Sequence, residues 1–351
     1  MKPYPNLITR FVLLLSIMIG LVACKPNPQD DIALFQPFIT ENINKKSADP
    51  YISSTVKPGD KMYEILVNIQ HGRHDIASSK LQSLIEGNDS DAMVWYAKLI
   101  YRASVNNRPK ALSLYQKAMD NDNPYAYVML SPGLISSGCV SYFGEKNCTL
   151  EHFNKAIELF KPLAAQGDLR AQYFLLQQQE LDQSKETRAQ YIQEVIRFSQ
   201  AHYYQPLMDY VNTILTRPQG KDKYEARTTE QYNLAIDLLT IASNNNYIPA
   251  IKRLLEVDLD EEIFTKRMEQ LTRLGSTFEI YENYFNSQDE HERYYYSMLF
   301  KQLTGDNKLS SSYRATEDEV KMINEKIEKV ISSMTPMVYI DGFTSRDDWV
   351  D

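Results

Sequence analysis

His71 and His74 stand three residues apart, a spacing that sets two imidazoles on one helix face. A metal site needs three or four ligands, so two surface or turn histidines are the simpler reading. Ser54 and Lys57 have the spacing in which a lysine can activate a serine nucleophile, but none of the companion motifs of such enzymes follows. Asp258-Leu259-Asp260-Glu261-Glu262 is an acid cluster that reads as a solvated turn between helices, with calcium binding as the remote alternative. The sequence has no G-x-S-x-G, Walker A, H-E-x-x-H or paired C-x-x-C motif. It therefore predicts no catalytic set, no metal and no cofactor. What remains is three cysteines, Cys24, Cys139 and Cys148, and 24 tyrosines, densest at Tyr203-Tyr204 and Tyr294-Tyr295-Tyr296. Tyrosine gives a large contact area with few torsions to freeze, which suits interfaces. Consecutive tyrosines in a helix point to different faces, so these five are candidate partner-binding residues; the competing reading is core packing with the hydroxyl at the rim.

Cys24 follows a recognisable leader. Lys2 and Arg10 make a positive start, and Phe11 to Gly20 is an apolar run of about ten residues, where a bilayer span needs roughly twenty. The run ends in Leu21-Val22-Ala23-Cys24, which resembles the lipobox of bacterial lipoproteins. That resemblance implies a signal peptide over residues 1–23, cleavage before Cys24, and acylation of its thiol. Residue 25 is Lys rather than Asp, which in enteric bacteria implies sorting to the outer membrane, with the protein facing the periplasm. Three acyl chains exceed the two-signal requirement for stable anchoring. With Cys24 consumed, Cys139 and Cys148 remain as a pair that an oxidising compartment would let bond, worth about 2–3 kcal/mol by loop entropy. The alternative is two free thiols in a loop.

The formal net charge is −8, and losing Lys2 and Arg10 with the leader takes it to −10. An acidic surface argues against nucleic acid and against broad contact with anionic lipid heads, and it is compatible with a basic protein partner. Residues 24–60 are polar and hold Pro26, Pro28, Pro37, Pro50 and Pro58, so they read as a flexible tether of about 30–35 Å. Within them, Phe35-Gln36-Pro37-Phe38-Ile39 is apolar enough to dock on a folded body.

From about residue 61 the pattern becomes helical and repetitive. Small or apolar anchors recur fifteen residues apart: Ala77/Ala92, Ala111/Ala126, Ala156/Ala171, Ala235/Ala250 and, more weakly, Ile192/Leu207. Most carry apolar residues three and four positions on, which makes one helical face. Between anchors lie Asn88-Asp89, Asn121-Asp122-Asn123, Gln166-Gly167-Asp168 and Asn244-Asn245-Asn246, residues that end helices and accept left-handed angles. The unit is helix, tight turn, helix. Beyond residue 260 the repeats fade; Thr316-Glu317-Asp318-Glu319 predicts a capping box opening a last helix with Val320, Ile323, Ile327 and Val330 on one face.

The run from Lys155 through Pro162-Leu163-Ala164-Ala165-Gln166-Gly167-Asp168 to Ala171 resembles the SEL-like repeat, a relative of the tetratricopeptide repeat. The resemblance implies an all-α fold: a right-handed α-solenoid of about five helix-turn-helix repeats over residues 61–260, followed by a helical cap and tail over 261–351. Lipoproteins of this architecture resemble immunity proteins of type VI secretion. The expected role is thus a non-enzymatic protein-binding module that blocks a cognate toxin, such as a phospholipase, encoded nearby. An envelope-assembly scaffold and a penicillin-binding hydrolase are the alternatives.

Overall fold

The computed structural model describes residues 27–132, 138–215, 228–257 and 261–350. Cys24, the leader, residues 216–227 and Asp258 to Asp260 of the acid cluster lie outside the described residues. The fold is all-helical, with no strand among the described residues.

Five helix–turn–helix pairs carry the anchors. They are α3 (His74–Glu86) with α4 (Ser90–Ile100), α5 (Arg108–Asp120) with α6 (Pro124–Met129), α8 (Leu150–Ala165) with α9 (Leu169–Gln177), α10 (Lys185–Gln200) with α11 (Gln205–Leu215), and α12 (Thr229–Asn244) with α13 (Ile248–Val257). All ten anchor residues are fully buried, and the members of each pair pack on one another. Alanine at eight of the ten positions lets the two backbones approach closely. The turns are built alike. Asn88, Asp122, Gly167, His202 and Asn246 take positive φ, between 52° and 94°. Each is followed by an N–H that reaches back to the preceding helix, as in Asp89 to Leu84 (3.1 Å) and Asp168 to Leu163 (3.0 Å). Asp89, Asn123 and Asp168 then cap the second helix, accepting from Ala92, Ala126 and Ala171. In α10–α11 two residues, Tyr203 and Tyr204, stand between the left-handed His202 and Gln205, where the other pairs use one. The anchor pair Ile192/Leu207 keeps the fifteen-residue spacing and full burial but carries larger side chains than alanine.

The tether is corrected from residue 28 onward. Pro28–Asn42 forms helix α1, with Asn27 capping it by accepting the Gln29 N–H at 3.0 Å. Asp31, Phe35, Phe38 and Ile39 share one buried face, and α1 packs on α10 and α12. Asp31 accepts Nε and Nη2 of Arg188 at 3.1 and 2.7 Å and the Tyr210 hydroxyl at 2.9 Å. Pro37 is inside the helix but on its exposed side, so it does not disturb the packing. The following strap is tied down as well: the Ser47 N–H donates to Asn244 O (3.0 Å), and the Ser53 hydroxyl to Asn245 O (2.7 Å).

Helix α2 (Tyr63–Gln70) precedes the first pair, and α7 (Cys139–Phe143) precedes α8. At the other end, α14 (Glu261–Arg273) packs on α13. Helices α15 (Phe278–Asn286), α16 (Glu290–Thr304) and α17 (Glu317–Ser333) enclose a separate cluster of Ile280, Leu299, Phe300, Leu303, Ile323 and Ile327. Both halves of the Thr316/Glu319 capping box are made. Residues 334–350 then leave the cap and run back along the body, crossing the second helices of successive pairs.

Candidate functional site

The returning segment occupies a groove formed by the strap, α2 and the second helices of the pairs. It starts at Thr335, whose N–H donates to Arg273 O (2.8 Å), and Met337, whose N–H donates to Leu274 O (3.0 Å). The approach is close: a Cβ on Gly275 would lie 2.9 Å from Pro336, so that position needs glycine. Gln70, buried on α2, reads the peptide backbone with its amide. Its Nε2 donates to Met337 O (3.0 Å), and its Oε1 accepts the N–H of Tyr339 (2.9 Å) and Ile340 (3.4 Å). From the opposite side Thr55 donates its N–H to Val338 O (2.8 Å) and its hydroxyl to Ile340 O (2.7 Å). Backbone groups that would otherwise be buried unpaired are thus satisfied.

Further along, side chains take over. Asp341 Oδ1 accepts the N–H of Phe343 (2.9 Å) and Thr344 (3.0 Å), and Oδ2 accepts the Tyr203 hydroxyl at 3.1 Å. Gly342 passes the Tyr125 ring so closely that a Cβ would sit 2.4 Å from it. Phe343 then stacks on Phe174 (5.2 Å, 4° between planes) and touches Phe160 and Tyr125. Trp349 is 0 % exposed and rests on Trp95 at 5.3 Å. Lys98 sits between them: its ammonium donates to Gly342 O (2.9 Å) and Thr344 O (3.2 Å) and lies about 5 Å from both indole rings. Burial pushes the Lys98 ammonium down to about 8, and the nearby Asp341 carboxylate acts against that shift. Burial likewise raises the Asp209 carboxyl and keeps the phenols of Tyr125, Tyr173 and Tyr203 protonated. Two cavities flank the segment. One of about 560 Å³ is lined by Trp95, Asn123, Tyr125 and Arg170; one of about 520 Å³ by Tyr173, Tyr203, Asp209 and Tyr247.

The residues singled out from sequence fall in different places. Tyr203 belongs to this groove. Tyr204 does not: it is buried beside Tyr247 at 5.6 Å, so it is core and unavailable to a partner. Tyr294, Tyr295 and Tyr296 are half-buried against the C-terminal cluster, with Tyr295 under Lys326 at 4.1 Å, and the structure does not gather them with Tyr203. Cys139 and Cys148 are joined by a disulfide with Cα atoms 6.0 Å apart, and both are buried. It holds the stretch that places Phe143 against Tyr101 and Tyr115. Cys24 is outside the described residues.

Ser54, Lys57 and His71 have structural partners. The Ser54 hydroxyl donates to Val56 O (2.6 Å) and accepts the Val338 N–H (3.0 Å), while Lys57 lies 3.9 Å from Asp49; the pair holds the strap and the returning segment rather than forming a nucleophile and base. His71 is buried with Nε2 2.7 Å from Gly275 O, and burial lowers the His74 imidazole. Among the described residues no three His, Cys, Asp or Glu side chains are placed to hold a metal, and no helix is long and apolar enough to cross a membrane.

Gln70, Lys98 and Tyr125 carry no sequence motif of a site; the mixed aromatics and acids of the tail from Tyr339 to Trp349 leave packing back on the body and meeting a partner both open, and the structure shows the packing. The available signal for those three residues is Lys98 itself, a lone charge inside Met93-Val94-Trp95-Tyr96-Ala97-Lys98-Leu99, every residue of which is buried. No family model, curated protein or solved structure matches the chain.

Proposed function

We propose that the protein is a non-catalytic protein-binding module, anchored by lipid on Cys24 and facing the periplasm, in which five helix pairs stack as a right-handed solenoid. The observation that carries this reading is the groove across the second helices. It holds an extended chain by paired backbone hydrogen bonds at Gln70 and Thr55 and by aromatic seats at Tyr125, Phe174 and Trp95. Stacked helical repeats offer extended surfaces of this kind to partners. In its specific form the proposal is an immunity protein: it binds a toxin delivered by type VI secretion, such as a phospholipase, and covers its active site. The acidic chain steers a basic toxin surface.

The test is co-expression with the product of the neighbouring gene, directed to the periplasm. A stable complex and relief of toxicity are expected. If neither occurs, or if deleting the gene impairs growth where no toxin is present, the immunity role is overturned. Substituting Cys24→Ala should move the protein from the membrane to the soluble fraction; retention at the membrane would overturn the anchor.

A further inference from the structure

The segment in the groove is the protein's own, and its two halves are held differently. Residues 335–340 are sealed in: Met337, Val338 and Ile340 are fully buried between α2, the strap and the end of α14. The outer half is held mostly by side chains, among them Arg102, which donates to Asp347 at 2.9 Å, and Arg346, which donates to Lys98 O at 3.4 Å. Asp341 and Trp349 are buried, but Ser345, Asp347, Asp348 and Val350 are exposed, and both large cavities open alongside it. Its contacts are of a kind a second chain can reproduce: carbonyls on Lys98, a carboxylate on Tyr203, one flat ring on Phe174 and one indole on Trp95.

We propose that Asp341 to Val350 is an internal stand-in for the partner, and that the partner inserts an extended segment of the same chemistry after displacing it. That chemistry is specific. A carboxylate comes first, to accept from Tyr203. Glycine follows, because Tyr125 leaves no room for a Cβ. An aromatic residue comes next, to stack among Tyr125, Phe160 and Phe174, and a tryptophan lies some residues on, to cover Lys98 and Trp95. The inference rests on the protein-binding reading above and deepens it. Affinity for the partner is then reduced by the fraction of molecules whose groove is closed.

The test uses the full chain and a fluorescein-labelled synthetic peptide with the sequence Asp341 to Val350, followed by anisotropy. Wild-type protein should bind it weakly. Gly342→Leu, which drives the internal segment against Tyr125, and Trp349→Ala, which removes its outer anchor, should each bind at least tenfold tighter. The same peptide carrying Gly342→Leu should lose at least tenfold on either variant. Equal binding by wild type and a variant with unchanged far-ultraviolet circular dichroism overturns the proposal, as does indifference to the peptide's own glycine. If Gly342→Leu fails to fold, Trp349→Ala decides alone. Peptide binding without a toxin partner removes the immunity role and keeps this inference; a toxin complex that the peptide does not compete overturns this inference and keeps the role.

Discussion

At the scale of single residues, two buried charges dominate. Lys98 has its folded-state value lowered from 10.5 to about 8. The unfolded chain therefore holds its proton more tightly, and between about pH 8 and 10.5 it binds more protons than the folded chain. Stability from this group rises with pH through that window and is absent below it. Comparing melting temperatures at pH 7.5 and 9.5, wild type should gain relative to Lys98→Met; parallel behaviour would show that Lys98 is not buried by the returning segment. Asp31 is the second case. Its carboxylate is fully buried on the Arg188 guanidinium. Asp31→Ala leaves that cation unpaired and should lower unfolding stability by about 3–5 kcal/mol, whereas Asp31→Leu with Arg188→Met should cost much less. Urea titration of the single and double variants measures the difference.

At the scale of elements, the alanine anchors set how closely paired helices approach. Ala156 has no exposed surface and packs with Phe160, Ala171 and Phe174. Ala156→Leu should destabilise by about 1–3 kcal/mol, read as a lower urea midpoint at unchanged slope. These pairs were legible because the signals are local: Asn88, Asp122 and Gly167 supply left-handed angles, and Asp89, Asn123 and Asp168 supply caps within a few residues. Helix α1 was misread for a local reason too. Prolines weigh heavily in composition, yet Pro28 opens the helix and Pro37 faces out, while Asp31, Phe35, Phe38 and Ile39 already had helical spacing. A buried Asp on that face hid the pattern, because its partner Arg188 is distant in sequence. The groove was illegible for the same reason. Gln70, Lys98 and Asp341 become a site only when the fold brings together residues 138 to 267 positions apart, and no local pattern connects them.

At the scale of the whole molecule, the returning segment changes how the parts depend on one another. Stacked helix pairs normally contact only their neighbours, so end units fray and stability is a sum of near-independent terms. Here the cluster around α2 to α5 also contains Val338, Ile340 and Trp349, and Thr55 bonds to the same stretch. The first helices are therefore incomplete until the last have formed. Such long-range closure lowers folding speed, since loop entropy is lost before the contacts form. In return it makes unfolding an all-or-none event across the array. Wild type should melt in a single calorimetric transition, and Trp349→Ala should broaden it or split it in two. The segment that fills the groove thus also sets the cooperativity of the molecule. A partner that displaces its outer half would leave residues 335–340 alone to couple the two ends.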